Sequence, residues 1–169
     1  MRLVLGNIVE MKTDAVASAA RSDLQPAPGI SEAVFSAADT AKLKAECRRI
    51  GRCRIGQAVV TSSCGLPCRY IIHVVGPDWY SGHKSDRLLV ADCYLRALDK
   101  ALEYRCKSVA LPLMFSGDYH IPRLEALQIA GGVIRKFEKE YPELEISLVL
   151  YRESIYRLAC KVLEKSGTE

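Results

Sequence analysis

A short polar turn between an apolar run and a helical pattern is the part of the sequence best suited to holding an anion. Residues 108–114 are apolar enough for a buried strand, and residues 124–137 have helical apolar spacing after Pro122. Between them, Gly117 is predicted to take a positive φ, which costs glycine no steric strain, so backbone N–H groups of the turn can point at a phosphate. The segment predicts a strand, a phosphate-binding loop and a helix, although an ordinary loop has the same ingredients.

The densest basic cluster has a structural explanation as well as a chemical one. It consists of Arg48, Arg49, Arg52 and Arg54. These residues close a predicted helix, where cations complement the helix dipole and Gly51 ends the helix. No aromatic residue is interleaved with the arginines, which disfavours single-stranded nucleic acid as a partner. The net charge of +4 mildly favours an anionic ligand.

The cysteines could suggest a metal site, but their spacing does not support one. The chain has seven cysteines and three histidines, with no CxxC motif and with the histidines scattered. An odd number of cysteines cannot pair fully within one chain. We therefore expect reduced thiols that pack as small apolar side chains, with no bound metal and no cofactor.

Apolar periodicity divides the chain into alternating strands and helices. Strands are predicted at residues 2–5, 13–17, 57–62, 70–75, 108–114 and 146–151. Helices are predicted at residues 31–49, 87–104, 123–141 and 154–165. The alternation predicts an α/β protein, a three-layer α/β/α sandwich, and the two pairs of consecutive strands predict a mixed six-stranded central sheet.

The length and the ends of the strands set further expectations. The 169 residues suit a single domain over residues 1–169. Ligands of such sheets bind at the carboxyl ends of strands, so residues 6–7, 19–21 and 115–119 are expected to converge on one crevice. Residues 1–5 are too short for a signal peptide, and no apolar run reaches membrane-spanning length, which predicts a cytoplasmic protein that does not bind membranes.

Six short motifs follow one another in a specific order along nearly the whole chain. They are residues 5–9 (LGNIV), 16–21 (VASAAR), 46–47 (EC), 56–61 (GQAVVT), 66–77 (LPCRYIIHVVGP) and 115–122 (FSGDYHIP). Each motif is common by itself. In this order they are specific, and the chain resembles the macro domain family.

The resemblance implies a domain that binds ADP-ribose. Adenine would lie near the first strand, the diphosphate between two loops, and the distal ribose over the end of the second strand. Some members of the family also hydrolyse ADP-ribosyl or O-acetyl-ADP-ribose esters. The ligand-binding positions carried over from the motifs are Asn7, Ile8, Ala20, Arg21, Gly29, Ile30, Ser31, Phe115, Ser116, Gly117, Asp118, Tyr119 and His120.

The chain departs from the family pattern in its first ligand loop. Arg21 stands where the family has a second Asn, residues 26–31 replace a glycine-rich run, and Ser31 occupies the position of the catalytic Asp. Pro26 and Pro28 each fix φ and lack an N–H donor, so the loop is expected to be stiff and poor in donors. A serine hydroxyl is not basic near neutral pH, and Ser31 is predicted to cap the following helix. No catalytic residue is assigned.

Four side chains each have two interpretations. Arg21 either contacts a terminal phosphate or carboxylate of the ligand, or folds over the pocket and pairs with Asp23 or with solvent. Asn7 either accepts from an adenine amino group or caps a turn. His120 either donates a proton or contacts phosphate, or lies on a solvent-facing turn. Asp118 would oppose a bound anion unless it points away.

These features are consistent with three functions. The first is binding of ADP-ribose or a related nucleotide, free or on an ADP-ribosylated protein, without the usual hydrolase activity. The second is hydrolysis of ADP-ribosyl or O-acetyl-ADP-ribose esters by a different residue set that includes His120 or Asp118. The third is protein interaction by a domain whose pocket is closed by residues 26–30.

Overall fold

The computed structural model describes residues 1–77, 84–117 and 120–165. The strands are β1 (Arg2–Leu5), β2 (Ala15–Ala20), β3 (Ala58–Ser62), β4 (Tyr70–Val75), β5 (Ser108–Pro112) and β6 (Glu145–Leu150). The helices are α1 (Ile30–Ala37), α2 (Thr40–Ile50), α3 (Lys84–Glu103), α4 (Arg123–Glu140) and α5 (Glu153–Lys165), and a 3-10 helix covers Ile8–Glu10. Within the described ranges, no helix is long and apolar enough to cross a bilayer.

The strands form one mixed six-stranded sheet in the order β1-β6-β5-β2-β4-β3. Neighbouring strands are parallel except for β3, which runs antiparallel to β4. The predicted mixed sheet is confirmed, but only the second pair of consecutive strands makes it mixed. β1 and β2 have the same direction, and the short segment between them cannot supply the crossover that adjacent parallel strands require. β1 therefore pairs with β6.

Alternate side chains of the central strands enter two apolar layers. On β4, Ile72 and Val74 join the layer that includes side chains of α3, α4 and α5, whereas Ile71 and Val75 join the layer that includes α1 and α2. This arrangement confirms the α/β/α sandwich. β2 consists of small residues throughout, and all six are buried.

The strand predicted over residues 13–17 is placed too early. β2 begins at Ala15 and continues to Ala20, which pairs with Val75 at the end of β4. Alanine has a low preference for strands, so pairing with the neighbouring strands decides where β2 ends. The extension carries Ala20 and Arg21 to the edge of the sheet at which β4 also ends.

The helix predicted over residues 31–49 is two helices, α1 and α2. Between them, the Asp39 carboxylate accepts a hydrogen bond from the Lys42 N–H at 3.1 Å and caps α2. The Asp39 N–H donates to the Cys64 carbonyl at 2.7 Å, which fixes the break to the loop after β3. Apolar spacing continues through the break, so periodicity alone does not detect it, whereas the capping residue does signal it.

The seven cysteines all have free thiols, and all except Cys160 are buried. Burial raises the pKa of Cys47 and of Cys68 to about 11, so both thiols are neutral at physiological pH. In the described parts of the chain, no group of three or more His, Cys, Asp or Glu side chains is placed to hold a metal ion.

Candidate ligand-binding site

Five strand ends meet at one edge of the sheet. β1, β6, β5, β2 and β4 are parallel, so the loops that follow them lie along the same edge. The Gly6 N–H donates to the Leu150 carbonyl at 3.0 Å and holds the loop after β1 beside the end of β6. Three segments were expected to converge, residues 6–7, 19–21 and 115–119. The described residues of all three lie at or just after strand ends on this side, where α/β sheets bind ligands.

A cavity of about 480 Å³ opens between the ends of β2 and β4. Its size falls in the range of small-molecule sites. Among the residues expected to bind ligand, Ala20 and Arg21 line it. The full wall consists of Ala20, Arg21, Ser22, Asp23, Ala27, Pro28, Arg52, Ile55, Val75 and Gly76.

Arg21 forms an ion pair in the cavity wall. Its Nη2 atom lies 2.9 Å from Oδ2 of Asp23, and the two side chains are 55% and 43% exposed. The Gln25 N–H donates to Oδ1 of Asp23 at 3.1 Å, and the Leu24 N–H donates to the Arg21 carbonyl at 2.9 Å. Of the two interpretations of Arg21, the structure contains the pair with Asp23. An exposed ion pair is weak, so a ligand anion can compete with Asp23 for the guanidinium.

Ser31 lies inside α1, and the prediction that it caps this helix is wrong. The N-cap is Gly29, whose φ of +89° favours glycine, and α1 starts at Ile30. The Ser31 side chain is 3% exposed, and its Oγ accepts a hydrogen bond from the Ala27 N–H at 3.1 Å. The hydroxyl therefore closes the loop before α1 and does not line the cavity.

The loop before α1 has few backbone donors for an anion. Pro26 and Pro28 have no N–H, and the Ala27 N–H is bonded to the side chain within α1. The N–H groups of Gly29 and Ile30 lie at the start of the helix, where no intrahelical acceptor exists for them. These two groups form the candidate donor set of the first loop.

The loop after β5 is closed by backbone hydrogen bonds. The Ile121 N–H donates to the Phe115 carbonyl at 3.1 Å, and the His120 N–H donates to the Gly117 carbonyl at 3.0 Å. The φ of Gly117 is not positive, so the prediction that this glycine gives the turn its left-handed conformation is wrong. Instead, Phe115 and His120 have φ values of +68° and +62°, which are uncommon for residues other than glycine. Such conformations persist where the surrounding structure holds them, and they concentrate at ligand sites.

The side chains of this second loop differ in exposure. Ser116 is half-buried, and its hydroxyl lies 3.4 Å from the Leu113 carbonyl. His120 is exposed, as expected for a solvent-facing turn. The two other residues predicted here, Asp118 and Tyr119, lie outside the described residues.

Phe115 joins the second loop to the cavity wall. The Phe115 side chain is 2% exposed and packs directly against Gly76. A Cβ atom at Gly76 would lie 2.3 Å from Cε1 of the Phe115 ring, so any side chain there would displace the ring. The end of β4 and the loop after β5 are therefore packed as one unit, although Phe115 itself does not line the cavity.

The two candidate residues after β1 have structural roles. Asn7 caps the 3-10 helix, because its Oδ1 atom accepts a hydrogen bond from the Val9 N–H at 3.3 Å. Ile8 is 7% exposed and packs in the same apolar layer as Ala20. The turn-capping interpretation of Asn7 is present in the structure, and its contact with adenine stays a prediction.

Sequence reasoning missed most of the cavity wall. Val75 and Gly76 could have been found, since β4 also ends at this edge. Arg52 and Ile55 belong to the segment between α2 and β3. The basic cluster that includes Arg52 was the one sequence feature that could have indicated this segment as part of an anion site. Tyr151, which follows β6 at the same edge and is 77% exposed, was not among the predicted residues and does not line the cavity.

Comparison with known sequences defines the class of protein. The model of the Macro domain family matches residues 17–130. The chain is 36% identical over 168 residues to a macro domain-containing protein of Methanosarcina mazei, covering 98% of this chain and 87% of that protein. It is 34% identical to the O-acetyl-ADP-ribose deacetylase of Escherichia fergusonii, covering 100% of this chain and 98% of that protein. The chain belongs to the Macro domain family.

Solved structures share the fold. The Oceanobacillus iheyensis macrodomain with ADP matches with a TM-score of 0.91 and 30% identity, covering 97% of this chain and 90% of that chain. The Trypanosoma brucei macrodomain in complex with ADP matches with a TM-score of 0.87 and 28% identity, covering 95% and 68%. The architecture is therefore the macro fold.

Proposed function

We propose that this protein binds ADP-ribose at the carboxyl edge of its sheet. The observation that carries the proposal is the cavity between the ends of β2 and β4, which is joined to the loop after β5 through the contact of Phe115 with Gly76. The similarity to macrodomains solved with ADP supports a nucleotide diphosphate as part of the ligand. An open cavity also favours ligand binding over a domain that has lost its pocket.

The proposed arrangement assigns one part of the ligand to each loop. Adenine lies beside Asn7 and Ile8, and the distal ribose lies over Ala20 and Arg21. The diphosphate lies between the first turn of α1 and the loop after β5, where backbone N–H groups can donate to it. The residues of these two loops are Gly29, Ile30, Ser31, Phe115, Ser116, Gly117, Asp118, Tyr119 and His120.

We further propose that the chain lacks the usual hydrolytic mechanism of its family. The residue at the position of the catalytic Asp, Ser31, is buried and its hydroxyl accepts a hydrogen bond from the Ala27 N–H. A hydroxyl in this position has no neighbouring base assigned to activate it, so it cannot take a proton from water near neutral pH.

A second candidate function is hydrolysis by a different residue set. It is favoured by the similarity to the O-acetyl-ADP-ribose deacetylase of Escherichia fergusonii and by the exposed His120 in the second loop. Release of acetate from O-acetyl-ADP-ribose by the wild-type protein, lost in His120→Ala, would establish this function. An absence of release at saturating substrate would support a binding protein.

Calorimetric titration with ADP-ribose, ADP and AMP tests the proposed function. We expect a dissociation constant in the micromolar range for ADP-ribose, about tenfold weaker binding of ADP, and still weaker binding of AMP, because ADP lacks the distal ribose and AMP also lacks one of the two phosphates. No heat with any of the three would overturn ADP-ribose binding. Equal affinity for ADP and ADP-ribose would show that the distal ribose is not bound at Arg21.

Tyr151 is expected to stack on the adenine base. Its position after β6 places it beside the loop that carries Asn7, and its 77% exposure leaves a ring face for a ligand. Aromatic stacking on a base contributes about 1–3 kcal/mol, so Tyr151→Ala should weaken ADP-ribose binding about tenfold or more in the same titration. Tyr151→Phe is the matched control and should bind like wild type. Equal affinities of the alanine variant and wild type would place adenine elsewhere.

A further inference from the structure

A second cavity of about 520 Å³ adjoins the first. It is lined by Ser22, Arg52, Cys53, Arg54 and Ile55. Three of these residues, Ser22, Arg52 and Ile55, also line the first cavity. The two cavities are therefore neighbours, and the proposed ADP-ribose site occupies only the first of them.

The side chains that line the second cavity include two arginines and no carboxylate. Arg52 and Arg54 are exposed, and within the described residues no carboxylate oxygen lies within 4.0 Å of either guanidinium. Arg48 and Arg49 are also exposed, on the last turn of α2, which ends just before the segment that carries Arg52 and Arg54. Burial raises the pKa of Cys53, although Lys100 opposes this, so the thiol stays neutral and does not offset the arginines.

The remaining side chains of this cavity favour a peptide over a nucleic acid. Ile55 is 53% exposed beside the arginines, so the surface offers an apolar contact together with its charges. No aromatic side chain lines either cavity within the described residues, whereas single-stranded nucleic acids rely on base stacking. Glutamate side chains match this surface, because the carboxylate pairs with a guanidinium and the methylene groups cover an apolar neighbour.

We propose that the second cavity binds an acidic peptide segment next to the ADP-ribosylated residue of a target protein. This inference rests on the proposed function, which places the distal ribose at Arg21. The distal ribose is where a protein is attached to ADP-ribose, so the polypeptide would leave the first cavity at the side that Arg52 and Ile55 share with the second. Acidic residues of the target would then lie against Arg52 and Arg54.

Fluorescence anisotropy with two modified peptides tests the proposal. One peptide carries an ADP-ribosylated serine flanked by glutamates, and the other has glutamines in their place. We expect the glutamate peptide to bind about fivefold more tightly at low salt, with the difference shrinking as NaCl is raised. Arg54→Gln should reduce the difference to about twofold, since Arg52 remains, without changing the affinity for free ADP-ribose; an undiminished difference in this variant would overturn the inference. Lys136→Gln, the same loss of charge at an exposed position on α4, should retain it.

The outcomes separate this inference from the proposed function. Binding of free ADP-ribose with equal affinities for the two peptides would overturn the acidic-peptide inference alone. Loss of ADP-ribose binding altogether would overturn the proposed function, and the inference with it. The ADP-ribosylated glutamate peptide can also be displaced with two competitors, a single-stranded oligonucleotide and the same glutamate peptide without ADP-ribose. If the oligonucleotide displaces it at the lower concentration, the arginines bind nucleic acid and the inference is overturned.

Discussion

Replacing Gly117 by glutamate is expected to weaken ADP-ribose binding about a hundredfold while leaving the free energy of unfolding nearly unchanged. Gly117 lies in the closed loop after β5, which we propose contacts the diphosphate. A carboxylate there would face the phosphates, and two like charges a few ångströms apart repel by several kcal/mol near a protein surface. The fold tolerates the change, since a Cβ atom at Gly117 meets no other atom within 4 Å and its φ is not positive.

Gly117→Gln is the matched control, because glutamine has almost the same size and shape as glutamate but no charge. Calorimetric titration of both variants should give a loss of tenfold or less for glutamine against about a hundredfold for glutamate, with a smaller gap at high salt. Equal losses in the two variants would mean that size, and not charge, blocks the site. Wild-type affinity in both would place the diphosphate away from this loop.

The free energy of unfolding is expected to fall by about 3 kcal/mol between pH 7 and pH 4 because of His73. Complete burial lowers the pKa of His73 from 6.5 to about 4, with Glu46 acting weakly in the opposite direction. Below pH 6.5 the unfolded chain binds a proton at this histidine that the folded protein does not bind until about pH 4. The stability that the neutral, buried His73 provides is therefore fully present above pH 6.5 and is lost as the pH falls from 6.5 to about 4.

His73→Gln isolates this effect from the other titrating groups. The His73 Nε2 atom lies 2.9 Å from Oγ1 of Thr61, and a glutamine amide can make a similar hydrogen bond without taking up a proton. Urea unfolding at pH 7 and pH 4 should show that this variant loses about 3 kcal/mol less than wild type. His120→Gln, at an exposed histidine, should behave like wild type. The same pH dependence in His73→Gln and wild type would contradict the assignment.

The alternation of strands and helices could be predicted because each element buries a continuous or periodic apolar face. The apolar residues of β4 and the helical spacing of α4 are examples, and their observed boundaries agree with the sequence to within a residue. The end of β2 and the neighbour of β1 could not be predicted in this way. Both depend on pairing with strands that are distant in sequence, and this pairing cannot be predicted from the neighbouring residues alone.

The candidate site was only partly predictable for the same reason. The loop after β5 has a local signal in Gly117 and Pro122. The wall formed by Arg52 and Ile55 has no such local signal. It forms because the Cys53 N–H donates to the Ser22 carbonyl at 2.9 Å, which brings the segment after α2 against the end of β2. The start of α1 was also predicted incorrectly. Ser31 was expected to be the N-cap, because serine is a common capping residue, whereas the N-cap is Gly29 and Ser31 lies in the first turn.

The contact between Phe115 and Gly76 limits how the specificity of this domain can be changed. Because the ring of one ligand loop occupies the space that a side chain of the neighbouring strand end would need, enlarging Gly76 would move both walls at once. A redesign that accepts a larger sugar or a different linkage has more freedom at Arg21, whose half-exposed side chain is held by a weak ion pair. The two walls therefore differ in how well they tolerate substitution. A change at Gly76 also disturbs the loop after β5, whereas Arg21 can be replaced without moving a neighbouring loop.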